Sequence, residues 1–283
     1  MLLPASAAAQ SRLSRDQSIP PTELEAFVDG LVRQTMTADN IAGATVSIVQ
    51  DGRIVLKKGY GFADVAAGRR VDPDTTLFRI GSITKTFTWI AVMKAVEAGR
   101  LTFDDPVNQH LPDELRIPEE GFTEPIRIRH LMTHSAGFED RMFGHLFETD
   151  AAQLRPLATY LREERPRRVR EVGTLHSYSN YGVGLAGAAL ERINSRPWQE
   201  QIEAEILQPL GMTHTSVREP YAAREDLPAP MPDVLAKLVS SGYRWNGTQH
   251  VPQPFEYISH GAPAGVISST AGEVAGYMLM LLG

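Results

Sequence analysis

The chain of 283 residues contains no cysteine. That absence excludes disulfides, zinc–thiolate sites, iron–sulfur clusters and thiol nucleophiles together, and leaves the redox compartment open. Lysine is scarce, five residues against 23 arginines, so each lysine carries weight as a candidate for chemistry. A basic excess is missing as well: 28 Lys+Arg face 34 Asp+Glu, a net charge of −6. Nucleic-acid binders show the opposite balance. No apolar run approaches the ~20 residues needed to span a bilayer. With 42% hydrophobic and 22% charged residues, the composition is that of a globular chain able to bury a sizeable core.

The first ten residues, MLLPASAAAQ, carry two small-x-small patterns, Ala5-Ser6-Ala7 and Ala7-Ala8-Ala9, ahead of a polar stretch. They resemble the end of a secretory signal peptide and imply an exported, periplasmic or extracellular protein; the alternative is a disordered tail. Residues 1–20 are therefore set apart from a domain over 21–283, with a sheet part at 21–80 and a mainly helical lobe at 81–283.

Pro20-Pro21 followed by Leu24, Phe27, Val28, Leu31 and Val32 predicts an amphipathic helix over 22–37. Ala44–Gln50 and Arg53–Tyr60 are β-rich runs joined by Asp51-Gly52, a hairpin signal. Residues 83–98 are apolar nearly all round and stop at Gly99, which predicts a buried central helix. Further helices are expected near 127–133, 152–164, 180–193, 198–207 and 271–282. A second hairpin is expected from Tyr243 to Val251, turning on Asn246-Gly247.

Four motifs read better as structure than as chemistry. Gly182-x-Gly184-x-x-Gly187 has no strand leading into it, and small residues that let helices approach explain it better than dinucleotide binding. His130 and His134 have metal-pair spacing without a general-base Glu between them, and read as buried or capping histidines. The arginine run from Arg162 to Arg170 reads as a solvated loop, with steering of an anionic substrate as the alternative. Asn246-Gly247-Thr248 is formally a glycosylation sequon that the hairpin turn already accounts for.

Ser82-Ile83-Thr84-Lys85 stands apart because of where it sits. Ser82 opens the central helix, where free amides and the positive dipole end favour an oxyanion. Lys85 lies three residues on, on the same face and among apolar neighbours, so desolvation should lower its pKa and let it handle protons. Tyr178-Ser179-Asn180, on a loop that opens another helix, adds a phenol and an amide. The phenol is a poor base unless a cation such as Lys85 pulls it down, while the amide can donate to and accept from a substrate. Taken alone, this second group reads as a polar loop capping the next helix.

The chain resembles the serine β-lactamase-like superfamily of class C β-lactamases, D-Ala-D-Ala peptidases and related esterases. Besides Ser82-x-x-Lys85 and Tyr178-x-Asn180, the resemblance runs through Phe78-Arg79-Ile80-Gly81, Gly99-Arg100-Leu101 and Asp104-Asp105-Pro106. It continues through Ile128 to Gly137, Gly173-Thr174, Pro209-Leu210-Gly211-Met212 and Gly265 to Ala271, covering residues 25 to 283 in the family's order. It implies an α/β (α+β) fold with an antiparallel sheet flanked by helices and a helical lobe. It further implies Ser82 as the acylated nucleophile, Lys85 and Tyr178 as the proton-transfer pair, and Asn180 as a substrate contact, with no metal or organic cofactor.

The family's third element, Lys-Thr-Gly or His-x-Gly on a cleft-lining strand, has no counterpart. The last lysine, Lys237, precedes Leu238-Val239, and none of the eight histidines has Gly two places on. Trp245-Asn246-Gly247 matches a Trp-x-Gly variant but comes before Gly265 to Ala271, where the family places it after; it reads as a hairpin turn. The resemblance therefore implies a further C-terminal region carrying the third motif and the last strands of the sheet. The function implied is hydrolysis through an acyl-enzyme on Ser82, acting on D-amino-acid peptides, β-lactams or small esters. Leu131 to Gly137 looks more like the peptidase/esterase branch than dedicated β-lactamases. The alternative is a penicillin-recognising sensor that binds or acylates without turnover.

Overall fold

The structure, a computed structural model, describes residues 19–139 and 146–283. The small-x-small segment at the N-terminus falls outside the described residues.

Helix α1 (Pro21–Ala38) starts on a proline at its first turn, where no helical hydrogen bond is lost. It buries Leu24 and Val28. Phe27 and Leu31, which the periodicity assigns to the same stripe, stay 68% and 54% exposed, because the strand beneath covers a narrower band than the stripe. Strands β1 (Gly43–Gln50) and β2 (Arg53–Asp64) form the expected hairpin. Asp51 and Gly52 have φ of 50° and 69°, the two left-handed positions of a turn whose twist matches that of the strands. A bulge breaks the register between Ile48 and Val49. β2 runs past the expected end at Tyr60, because β3 (Arg69–Arg70) pairs with its last residues to give the order β1-β2-β3. Asp29 of α1 accepts from Lys58 Nζ at 3.0 Å and from the Tyr60 hydroxyl at 2.9 Å, fixing the helix to β2.

Strand β4 (Phe78–Arg79) leads through a 3-10 turn, Gly81–Ile83, into α2 (Thr84–Glu97). Phe87, Thr88, Ala91, Val92 and Ala95 of α2 are buried, while Met93 is half exposed, so one face of the expected central helix reaches the surface. Gly99, at φ 68°, ends it: the Gly99 amide bonds to Val96 O and the Arg100 amide to Ala95 O, both at 2.9 Å.

Helices α3 (Ile128–Met132), α4 (Leu157–Glu163) and α5 (Asn180–Asn194) come next. α4 is shorter than the expected 152–164. Asp150 caps a separate 3-10 turn at Ala151–Gln153, and Pro156 keeps its preceding residue out of the helical region, so the helix begins only at Leu157. α5 is buried from Tyr181 to Leu190 and packs against α2. The expected 198–207 helix is α6 (Trp198–Ile202), continued by a π turn at Glu203–Leu207. Then come α7 (Asp233–Ala236) and the second hairpin, β5 (Tyr243–Trp245) with β6 (His250–Pro252). Last are α8 (Ala262–Gly265), β7 (Ser268–Ser269) and α9 (Ala271–Leu282), which lies across β1 and β2. β7 returns to pair with β4, Phe78 opposite Ser269 and Arg79 opposite Ser268, tying the late chain to the approach of α2.

The glycines at 182, 184 and 187 lie along α5, without a strand ahead of them. A Cβ at Gly184 would meet Leu161 of α4 at 2.9 Å, and one at Gly187 would meet Pro263 of α8 at 2.3 Å. The motif is a close helix–helix approach. The arginine run departs from the solvated reading most at Arg168. The Arg168 side chain is 3% exposed, stacks at 3.8 Å over the Phe122 ring and bonds to Glu124 O and Glu171.

Candidate active site

Three elements converge on Ser82. The residue is exposed at the 3-10 turn ahead of α2, among the N-terminal amides that a helix cannot satisfy from within. Lys85, one turn on, is only 5% exposed, and its Nζ donates to Ser82 Oγ at 3.0 Å. Tyr178 arrives from the loop before α5 and donates its hydroxyl to the same Oγ at 2.8 Å. Lys85 Nζ also lies 4.9 Å from the centre of the Tyr178 ring. Burial pulls the Lys85 ammonium down to about 8 from its ordinary 10.5.

Local folding explains each placement. Ser179, in extended conformation, caps α5, its hydroxyl accepting from the Gly182 amide at 3.0 Å, and so holds Tyr178 in the loop just before the helix. Asn180, the first residue of α5, is half-buried, and no side chain among the described residues pairs with its amide. The sequence-predicted residues Ser82, Lys85 and Tyr178 are thus brought into direct contact, with Asn180 two residues from the phenol.

Several contributors escape a reading of the sequence. The Ala264 carbonyl of α8 accepts from Lys85 Nζ at 2.6 Å. Thr88 donates to Pro263 O at 2.8 Å, and the Ile267 amide donates to Thr84 Oγ1 at 3.1 Å, so α8 and its exit are clamped onto the start of α2. A backbone carbonyl carries no sequence signal. His134 is a second omission. Its spacing from His130 draws attention to metals, yet the two rings have separate tasks: His130 Nδ1 accepts from the Arg127 amide at the start of α3, whereas His134 Nδ1 accepts from the Ser179 amide at 3.1 Å. The His134 ring lies 4.5 Å from that of Tyr178. Burial first, then the Lys85 and His176 charges, hold His134 below the ordinary histidine range. Trp245-Asn246-Gly247 forms the second hairpin turn, with Trp245 against His250 and three groups bonded to Asn246 Oδ1.

The arrangement couples an accessible hydroxyl to a desolvated amine and a phenol, the equipment for attack on an acyl carbon without a metal ligand in the set. The sequence profile of the Beta-lactamase family matches residues 28–283. The chain belongs to the beta-lactamase family. Esterase EstB of Burkholderia gladioli is 27% identical over 245 residues, which cover 76% of this chain and 61% of EstB. Protein flp of Staphylococcus aureus (strain COL) is 28% identical over 201 residues, 70% of this chain and 40% of flp. The chain thus spans about two fifths of the flp protein's length. The crystal structure of a beta-lactamase/D-alanine carboxypeptidase from Pseudomonas syringae superposes with a TM-score of 0.69 at 27% identity, covering 90% of this chain and 64% of that one. The fold is beta-lactamase/transpeptidase-like, with helices and antiparallel sheets.

Proposed function

We propose that the protein is a serine hydrolase that works through an acyl-enzyme on Ser82, on small carboxylic esters or on peptides ending in D-amino acids. The observation that carries the reading is the double hydrogen bond onto Ser82 Oγ, from Lys85 Nζ at 3.0 Å and from the Tyr178 hydroxyl at 2.8 Å.

Ser82 Oγ attacks the substrate carbonyl carbon, and its proton passes into the Lys85–Tyr178 pair. With a pKa of about 8, Lys85 holds a share of neutral amine near neutrality that a solvated lysine lacks. The tetrahedral oxyanion is met by the amide at the head of the α2 turn. Collapse expels an alkoxide or amide nitrogen, which takes the proton from the pair and leaves as alcohol or amine. Water then attacks the acyl carbon, gives its proton to the same pair, and Ser82 leaves reprotonated beside a free carboxylic acid. Asn180 contacts the substrate amide or ester oxygen. The partial exposure of Tyr178, 39%, supports an open site that accepts small acyl groups. The name of EstB and the run Leu131 to Gly137 support the ester and peptide branch over dedicated β-lactam hydrolysis.

Labelling the full chain with a fluorophosphonate or a tagged penicillin, followed by peptide mapping, tests the reading. Label on the peptide holding Ser82, and steady release of acid from a p-nitrophenyl ester assayed separately, are expected. Label elsewhere overturns the assignment. Product that stops at one equivalent per chain returns the protein to the sensor reading.

A further inference from the structure

His134 is held in a left-handed backbone conformation, φ 53°, without being a glycine. Such a residue stores strain that the surroundings must offset, and histidine is among the few types that tolerate it. The conformation presents two acceptors of one residue to the two amides that flank Tyr178. The His134 carbonyl oxygen takes the Ser177 amide at 2.7 Å, and the His134 ring nitrogen Nδ1 takes the Ser179 amide at 3.1 Å. The ring itself lies beside the Tyr178 ring, centroids 4.5 Å apart and planes tilted by 32°.

At its start the loop is held by the Gly173 amide on Ser135 O at 2.9 Å and by the Thr174 hydroxyl on Glu171 O at 2.8 Å. Residues 173–176 are exposed, and the Ser177 hydroxyl makes only a long bond, 3.4 Å, to Phe138 O. Tyr178 must nevertheless reach Ser82 across 96 positions of sequence. A backbone amide always donates, so the Ser179 bond requires Nδ1 to be unprotonated and puts the ring proton of the neutral form on Nε2.

We infer that His134 is a positioning residue for the proposed acyl transfer: it grips the backbone on both sides of Tyr178 and sets the phenol against Ser82 Oγ. The inference rests on the proposed function for its kinetic consequence but not for the grip itself. His134 touches no reacting atom and acts only through Tyr178.

Two substitutions separate the roles. His134→Gly relieves the left-handed strain, so the chain folds, but it removes the ring acceptor. His134→Asn tolerates the same φ and places its Oδ1 where Nδ1 stood. In the full chain, hydrogen exchange at the Ser179 amide reads the grip without any turnover. It should be protected in the parent and in His134→Asn and fast in His134→Gly, while the Ser177 amide stays protected throughout. Acylation of Ser82 by a p-nitrophenyl ester reads the consequence. His134→Gly should lower kcat about 100-fold, the scale of a misplaced catalytic group, with KM little changed, and His134→Asn should recover most of it. Combined with Tyr178→Phe, His134→Gly should cost nothing more. Unchanged Ser179 exchange in His134→Gly overturns the grip even in a chain with no activity. Fast exchange with parental acylation, or a further loss in the double variant, overturns the positioning role. A parent chain that never acylates at Ser82 sinks the functional reading instead, and the exchange data still decide the grip.

Discussion

The Lys85 ammonium donates to the Ala264 carbonyl oxygen at 2.6 Å, joining α2 to a segment 179 positions later. This bond aims Nζ while leaving it a second donation, to Ser82 Oγ. Burial costs the cation its water, and one carbonyl dipole offsets part of that loss. The result is a lysine held in place yet easier to deprotonate than one on the surface.

Lys85 and Tyr178 should behave as one unit. Lys85→Ala and Tyr178→Phe should each slow acylation of Ser82 by about 10²–10⁴-fold, the range for a lost proton-transfer partner. The double variant should be little worse than either single one. Stopped-flow acylation rates check this, and losses that multiply would separate the two residues. Ser82→Ala should abolish labelling and leave the thermal transition nearly unchanged, since the residue is exposed.

The pH dependence comes from Lys85. Its folded pKa, about 8, lies below the ordinary 10.5, so between these values the unfolded chain binds more protons than the native one. Stability from this group therefore rises with pH across that window. The neutral amine also accumulates through pH 8, so the acylation rate should climb with an inflection there. Rate profiles of the parent and of Lys85→Met test it; an inflection near 8 that survives the substitution assigns it to another group.

Glu219 should produce a slope of opposite sign. It is fully buried, accepts from the Ile258 amide at 3.0 Å and the Ser259 hydroxyl at 2.5 Å, and sits 4.0 Å from Arg79. Burial raises its pKa from 4.5 to about 7 against those partners. The native chain thus binds more protons between these values, and the group's contribution to stability is lost as pH rises toward and through 7. Melting temperatures from pH 4.5 to 7.5 should fall less steeply in Glu219→Gln than in the parent. Parallel curves would remove Glu219 as the cause.

Gly187→Ala should damage both stability and activity. The added methyl would sit 2.3 Å from Pro263 Cγ, on a ring that cannot rotate aside. Overpacking of this kind costs about 1–3 kcal/mol. Because α8 also carries the Ala264 carbonyl, acylation should fall together with the melting temperature. Gly276→Ala on α9, with nothing within 4 Å of the new methyl, is the control and should gain about 0.5–1 kcal/mol.

Much of the local architecture is legible in the chain because its causes are local. Asp51-Gly52 dictates its turn, Gly99 the end of α2, and Ser179 the start of α5, each through bonds within a few residues. Helices α5 and α9 match their apolar pattern nearly to the residue. Local rules fail where a distant partner intervenes. β3, β4 and β7 are two residues long and are strands only because something pairs with them. Phe27 stays exposed and the Arg168 side chain is covered, because burial depends on which surface arrives opposite.

The candidate site divides along the same line. Ser82 and Lys85 are readable as a pair because one helical turn separates them, and a helix presents such residues on one face. That Lys85 is desolvated is already implied by its apolar neighbours in sequence. Tyr178, 96 positions from Ser82, reads by itself as part of a polar capping loop and gains a role only from the family pattern, and its hydroxyl reaches Ser82 only through tertiary packing. Ala264 carries no signal, and the spacing of His134 from His130 suggests a metal pair or a buried or capping ring, not its bonds to the Tyr178 loop. One acts through a carbonyl that every residue possesses, the other through a backbone angle and a ring nitrogen whose partners are chosen by the fold. Sequence alone named Lys85 and Tyr178 as the groups to look for beside Ser82. Tertiary structure decided how they are aimed, because aim depends on hydrogen bonds between segments that meet only when the chain is folded.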